Sequence, residues 1–279
     1  KAEKLSGLLD KLGNNNAAGE YYLTDTVAVA EKKGVYTADS TDVVLGANSR
    51  SQLAALNEVA RKRKLAELMD EGVDIPLSDG IIIGKDVKIG HDTVILPNTI
   101  IKGKTVIGNG CEIGPNSYIA DCVIEDNVIL NNVQAHESKV DSCAKAGPFV
   151  HLRPNTHLHS GVKIGDFVEV KNSEIGINTC IAHLTYIGDS DVGKGVNFGC
   201  GCVTANYDGI KKYRTTIGDN AFIGCNTNMI APVTIGDNAT TAAGSTITKN
   251  VPADSLAVER GQTRIIEHWE KNSKRIKKA

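Results

Sequence analysis

Large rings are scarce in this chain: aromatic residues are 4% of 279 positions, with 4 Phe, 1 Trp and only 2 Met. Broad globular cores draw on such residues to fill irregular space, so a narrow, regular interior suits this composition better. Long apolar runs are missing as well. None approaches the roughly 18 residues of a membrane-spanning helix, and no secretory leader is visible. Charge of one sign is also lacking. Lys and Arg total 31 against 33 Asp and Glu, and the net charge of −2 argues against broad nucleic-acid binding. A hydrophobic content of 41% is ordinary, and the length allows a large core.

Cysteine is present but unorganised. The seven residues are Cys111, Cys122, Cys143, Cys180, Cys200, Cys202 and Cys225. An odd, dispersed set reads as free, mostly buried thiols in a reducing compartment, with the cytoplasm as the expected location. Cys200-Gly201-Cys202 lacks the second ligand pair that a zinc site needs.

What the chain has instead is a period. Ile83, Ile89, Ile95, Ile101, Ile107, Ile113 and Ile119 are spaced six apart. The register recurs at Val140, Ala146, Leu152, Leu158, Ile164 and Val170, and again at Ile217, Ile223, Met229, Ile235, Thr241 and Ile247. A helix needs a period of 3.6 and an amphipathic strand a period of 2. Hexads are the repeat of a parallel β-helix, whose turns bury their apolar sides against one another. The fold expected is mainly β.

Along the chain, residues 1–50 carry no hexad and read as the end of another domain. The start at Lys1 without Met predicts a fragment. Residues 51–72 carry Leu53, Leu56, Val59, Ala60 and Leu68 among dense charge, with Gly72 at a C-cap, and predict a linker helix. The β-helix is expected over 73–262, and a C-terminal arm over 263–279 that packs on a neighbouring subunit through Ile265, Ile266 and Trp269. Short five-residue steps interrupt the period, and so does the segment Thr204 to Thr216. A long break in a compact repeat points to a functional loop.

Three hexads make one coil, so the period works as a ruler. Arg153 and Lys171 each follow an aliphatic first position three hexads apart, which stacks two cations about 4.8 Å apart at the backbone. Like charges at that spacing call for an anion between them, and a phosphate or carboxylate ligand is the functional reading. Two long side chains splayed into water are the structural one. His183 is third in its hexad, and carrying the register upward puts Cys200, Cys225 and Ala243 above it. A histidine topped by small residues leaves room for an extended ligand, with free backbone N–H groups to face a reacting carbonyl. A lone repeat histidine is otherwise structural. Tyr186 and Asn197 hold sixth positions flanking His183 and Cys200, and the loop offers Asn206, Tyr207, Asp208, Lys211, Lys212 and Arg214.

Leu152-Arg153-Pro154, Val168-Glu169-Val170-Lys171-Asn172, Ala182-His183-Leu184-Thr185-Tyr186-Ile187-Gly188-Asp189 and Thr204-Ala205-Asn206-Tyr207-Asp208-Gly209 closely resemble one enzyme family. It is the acetyltransferase half of the bacterial bifunctional N-acetylglucosamine-1-phosphate uridyltransferase/glucosamine-1-phosphate acetyltransferases. Asn14 to Asp25 resembles the end of the uridyltransferase domain, so that residues 1–50 are expected to be its α/β nucleotidyltransferase remnant. The resemblance implies a left-handed β-helix that forms a homotrimer, with acetyl-CoA bound between neighbouring prisms and no nucleic acid or membrane as partner.

It also implies roles. His183 is the general base on the amine of glucosamine 1-phosphate, and Asn206 helps to orient it. Arg153 and Lys171 hold the sugar phosphate, and Tyr186 and Asn197 bind the sugar. Lys212 contacts ligand from a neighbouring subunit. Cys200, Asn206, Tyr207, Cys225, Ala243 and Arg260 line the acetyl-CoA site, with Cys200 and Cys225 standing where small Ala and Ser are expected. Of the uridyltransferase magnesium and nucleotide positions only Asn48 remains, so Mg2+ is expected to serve that half and not this fragment.

Three other readings share the hexads. A β-helix zinc carbonic anhydrase needs three converging histidines. His151, His157 and His159 cluster in sequence, but His157 and His159 lie two apart on one segment and no other repeat histidine completes their set. A non-catalytic scaffold does not require Arg153 and Lys171 stacked beside His183. An acyltransferase with another amino-sugar or amino-acid acceptor is the third.

Overall fold

The computed structural model describes residues 2–269, so residues 270–279 of the expected arm lie outside the described residues. The chain divides into two compact units, Lys1–Leu56 and Asn57–Ala279. The first holds the short helices α1 (Ala2–Leu9) and α2 (Thr26–Val29) with single 3-10 turns at Leu23–Asp25 and Thr41–Val44. No residue from 4 to 56 is buried, and Val35 and Tyr36 stand almost fully exposed. Helix α3 (Arg50–Asp70) occupies the segment expected to be a linker helix, and the division between the two units falls within it.

Helix α3 begins and ends where its side chains dictate. Ser49 Oγ accepts from the Gln52 N–H at 3.2 Å, and Gln52 Oε1 accepts from the Asn48 N–H at 2.7 Å. At the other end Gly72 takes a φ of 93°, which lets its N–H reach Met69 O and the Val73 N–H reach Leu68 O. Leu65 and Leu68 are buried in the same cluster as Val73 and Ile81. Arg61 donates to the carbonyls of Ser78 at 3.0 Å and Ile81 at 3.3 Å, tying the helix to the first coil.

Above it the hexads form a parallel β-helix with three faces. Among the described residues, face I holds ten strands from Ile82–Ile83 to Thr246–Ile247. Face II holds nine from Lys88–Ile89 to Val233–Ile235, and face III ten from Val94–Ile95 to Leu256–Ala257. Every neighbouring pair is parallel, and the pairing of Ile83 with Ile101 and Ile101 with Ile119 is the 18-residue coil read from the period. The first positions of all three registers are buried, down to 0% for Ile95, Leu152 and Ile223. Hydroxyls at the corners serve the backbone: Thr93 Oγ1 donates to Gly108 O at 2.8 Å and accepts from the Cys111 N–H.

The corner leading from face III to face I has a residue at positive φ in every coil, joined by a glycine at Gly114 and Gly147. In order these include Asn116, Asn132, Phe149, Phe167, Leu184, Gly201, Asn226 and Gly244. Asn and Gly tolerate that conformation, whereas bulky residues adopt it at a cost. Phe149, Phe167 and Leu184 adopt it all the same, and each is more than half exposed.

Candidate functional site

Register places the candidate residues in two groups on two faces. On face I, Leu152 pairs with Val170, so Arg153 and Lys171 stand at the same position of adjacent coils, as the hexads predict. Lys171 then pairs with Gly188. The Arg153 guanidinium already has an anionic partner, Glu169 Oε1 at 2.8 Å, which the spacing argument did not anticipate. Lys171 lies below the usual lysine range, chiefly because the Lys212 ammonium sits beside it, aided by burial and by Arg153, with Asp189 opposing. The group is therefore three cations of one chain: Arg153, Lys171 and Lys212.

Behind it is a buried carboxylate. Asp189 accepts from the side-chain amides of both Asn172 and Asn206. The Asn206 amide also faces the Tyr186 hydroxyl at 3.5 Å. Tyr186 lies back over Gly188, where a Cβ would stand 2.3 Å from its hydroxyl oxygen and 2.8 Å from Asn206 Nδ2. Within the chain Asn206 bonds to Asp189 and not to His183. Its register partner is Asp189, whereas His183 turns toward face III.

The loop between Val203 and Thr216 is a short hairpin. Tyr207 bridges Lys212 in antiparallel fashion, and Asp208 Oδ1 accepts from the N–H groups of Ile210 and Lys211, which holds its carboxyl below the usual range. Tyr207 donates its hydroxyl to Gly209 O at 2.6 Å. Arg214 closes the loop with a two-pronged pair to Asp191 and bonds to the carbonyls of Asn172 and Ser190. The loop thus hands Lys212 to Lys171 and returns the chain to register.

The second group runs up face III. His183 pairs with Asp166 below, and the strand pairings put Cys200, Cys225 and Ala243 above it in one column. His183 is exposed, as are Cys225 and Ala243, while Cys200 is half-buried. Inter-coil bonds at this edge run from the N–H groups of Leu184, Asn226 and Gly244 to the carbonyls of Asp166, Cys200 and Cys225. The N–H groups of Cys200, Cys225 and Ala243 take no part in them. A Cβ on Gly199 would lie 2.5 Å from the Cys225 N atom, so glycine keeps this shelf low. Arg260 Cδ lies 3.8 Å from where a Cβ on Gly244 would stand, beside Ala243, and Asn197 is exposed on the strand that leads into Cys200.

The thiols differ from expectation. Cys111, Cys122 and Cys202 are buried, and burial raises Cys122 and Cys202 to about 11, but Cys143 and Cys225 are exposed and Cys180 and Cys200 intermediate. All seven are free. Asn48 stands exposed ahead of α3, its N–H held by Gln52. It has no acidic partner there, and the one group of metal-competent side chains among the described residues lies elsewhere. Among the described residues no group of carboxylates gathers around Asn48.

Comparison with known proteins agrees with this geometry. Residues 214–249 match the bacterial transferase hexapeptide (six repeats) family. The chain is 50% identical over 269 residues to the bifunctional protein GlmU of Acetivibrio thermocellus, covering 95% of this chain and 58% of that protein. The chain is a GlmU homologue. The GlmU of Clostridium acetobutylicum is 48% identical over 264 residues, covering 94% of this chain and 58% of its own length. The chain thus spans somewhat over half the length of these relatives. A solved UDP-N-acetylglucosamine acyltransferase from Francisella novicida aligns over 64% of each chain at 16% identity with a TM-score of 0.41, too loose a likeness to bear on the site. No helix among the described residues is long and apolar enough to cross a membrane.

Sequence reading missed Asp189, Asn172, Gly188 and Glu169. All four stand inside the motifs that carry the family resemblance, but their roles arise from burial and register, which a motif does not display.

Proposed function

We propose that this chain transfers the acetyl group of acetyl-CoA to the amine of glucosamine 1-phosphate, giving N-acetylglucosamine 1-phosphate. The observation that carries this reading is the cation group Arg153, Lys171 and Lys212 on the same coils as an exposed His183 set under a column of small residues. A sugar phosphate supplies the anion that the crowded Lys171 and Lys212 ammoniums call for, beside an Arg153 that Glu169 only partly engages. Tyr186 and Asn197 are suited to sugar hydroxyls.

In the step we envisage, the neutral amine attacks the thioester carbon and His183 takes the ammonium proton as the C–N bond forms. The carbonyl oxygen becomes an oxyanion facing unengaged N–H groups of the Cys200, Cys225 and Ala243 column. The C–S bond then breaks, and the proton held by His183 passes to the coenzyme A thiolate. The low shelf at Gly199, with Arg260 at its upper end, suits an extended acetyl-CoA. No acyl-enzyme is invoked, and Cys200 acts through its backbone.

We further read the working form as a homotrimer. The phosphate group and the His183 column lie on different faces of one prism, so a complete site calls for a second copy. Phe149 and Phe167, stacked at 5.1 Å between ring centroids and exposed beside His183, support a subunit contact there. Asn206 would then orient a His183 across that boundary. Residues 1–50 are read as the end of a uridyltransferase domain, and uridylyl transfer with its Mg2+ belongs to the stretch of the relatives that this chain does not span. The cytoplasm is the expected location.

The test is thiol release from acetyl-CoA with glucosamine 1-phosphate, glucosamine or UDP-glucosamine as acceptor. Preference for the first supports the reading. Equal use of glucosamine removes the phosphate role, and preference for UDP-glucosamine replaces the substrate class.

A further inference from the structure

On face II, away from both groups, two histidines lie between two carboxylates. His157 and His159 project outward on either side of the buried Leu158, with ring centroids 3.9 Å apart. Asp141 comes from the coil below and Glu174 from the coil above, placed by the pairing of Val140 with Leu158 and of His157 with Glu174. Asp141 Oδ1 is 2.9 Å from His157 Nε2, and its Oδ2 is 3.2 Å from His159 Nδ1. Glu174 Oε2 is 2.9 Å from His157 Nδ1 and 3.1 Å from His159 Nε2. His151 takes no part. It lies on face I, where its ring meets His136. The histidine triad considered from sequence does not form, and carboxylates complete the set instead.

Counting protons decides what this cluster suits. Four ring nitrogens face carboxylate oxygens, but a neutral imidazole has one N–H, so two rings supply two protons for four contacts. Protonating both rings would place two cations face to face. A metal ion resolves the deficit. Bound to His157 Nε2, His159 Nδ1 and an Asp141 oxygen, it leaves one N–H on each ring, and both N–H groups then point at Glu174 Oε2. That is the carboxylate–histidine–metal arrangement in which a second carboxylate fixes the tautomer. Ligand atoms of Asp141, His157 and His159 all lie within 4.8 Å of one another. Bonds of about 2.0–2.2 Å require only a small opening of these contacts.

We propose that Asp141, His157 and His159 bind a divalent transition ion of the zinc type, with Glu174 orienting both imidazoles. Two nitrogen donors and one carboxylate suit zinc, cobalt or nickel better than magnesium or calcium, which prefer all-oxygen sets. The ion joins residues of successive coils and acts as a clamp on face II. One cation competes for the same carboxylate: the Lys139 ammonium is 2.8 Å from Asp141 Oδ1. Lys139 is half-exposed and has Glu125 at 3.5 Å as an alternative partner, so it can yield.

The test uses the full chain after chelator dialysis, titrated with Co2+ and then Zn2+, and followed by visible absorption and thermal unfolding. The expected result is nitrogen/oxygen-type cobalt bands at one equivalent, displaced by zinc, with a metal-dependent rise in Tm. His159→Gln and Asp141→Asn each weaken binding by roughly tenfold or more, while Lys139→Met tightens it. That gain distinguishes a lost ligand from a damaged fold. Absence of binding overturns the site, as does binding unchanged in His159→Gln. Thiolate charge-transfer bands assign the ion to cysteine and overturn it equally. Failure of Lys139→Met to tighten binding removes Asp141 as a ligand.

Discussion

The phenol of Tyr186 lies over Gly188, in space that any side chain at 188 would occupy. A Cβ there would meet the hydroxyl oxygen at 2.3 Å, Cζ at 2.6 Å and the Asn206 amide at 2.8 Å. Gly188 is buried and pairs with Lys171, so its bareness sets where the Tyr186 ring lies. Gly188→Ala is expected to push Tyr186 off the site and lower kcat/KM for the sugar phosphate by about a hundredfold, as for a misplacement of roughly 1 Å. Steady-state kinetics with Tyr186→Phe alongside checks this. Normal kinetics for Gly188→Ala would mean that Tyr186 does not position substrate.

Much of this was legible before the fold was known, and the reasons are physical. A solenoid buries the same hexad position at every corner, so Ile83 and its successors carry the three faces and the coil height together. The Arg153–Lys171 and His183–Cys200–Cys225–Ala243 alignments follow from counting alone, even through the loop, because the insertion returns Thr215 to pairing with Ser190. What counting missed depends on side-chain direction and burial. Asp189 matters because two amides converge on it from neighbouring coils. Glu169 matters because it turns sideways to Arg153. The Asp141–His157–His159–Glu174 cluster was overlooked because only histidines were sought, whereas carboxylates one coil away complete it.

His183→Ala should lower kcat by about 10²–10⁴-fold, the usual contribution of a general base. Its exposed ring has Cys200 above it, and removing it leaves the Cys200–Cys225–Ala243 shelf intact. Acetyl-CoA affinity, measured by calorimetry, should therefore be unchanged. A variant with near-normal turnover would exclude His183 as the base, and detection of an acetylated Cys200 would exclude direct attack.

Arg153 and Glu169 should respond in opposite directions. Arg153→Ala removes a charge-assisted bond worth about 1.5–3 kcal/mol and should raise the acceptor KM by roughly ten- to a hundredfold. Glu169→Gln removes a negative charge from beside the incoming phosphate and keeps an acceptor for the guanidinium. Its KM should fall a few-fold or stay level. A rise as large as that of Arg153→Ala would show that Glu169 chiefly holds Arg153 in place.

Lys171 gives a pH signature whose sign follows from its neighbours. Lys212, burial and Arg153 lower it from 10.5, so the folded chain disfavours its charged form. For a base with a depressed folded value, the penalty is fully present below that value. It is relieved as pH rises toward 10.5, where the unfolded chain binds more protons than the folded one. Without ligand, Lys171→Met at neutral pH should then leave Tm level or slightly raised, since it removes repulsion. With glucosamine 1-phosphate the order reverses. The phosphate neutralises the cation group, so the wild type gains Tm on binding and takes up protons in alkaline buffer, while Lys171→Met gains much less. Thermal unfolding with and without the sugar phosphate, repeated in two buffers of different ionisation enthalpy by calorimetry, measures both. A Lys171→Met protein that is less stable without ligand yet keeps the full ligand-induced shift would place the phosphate elsewhere.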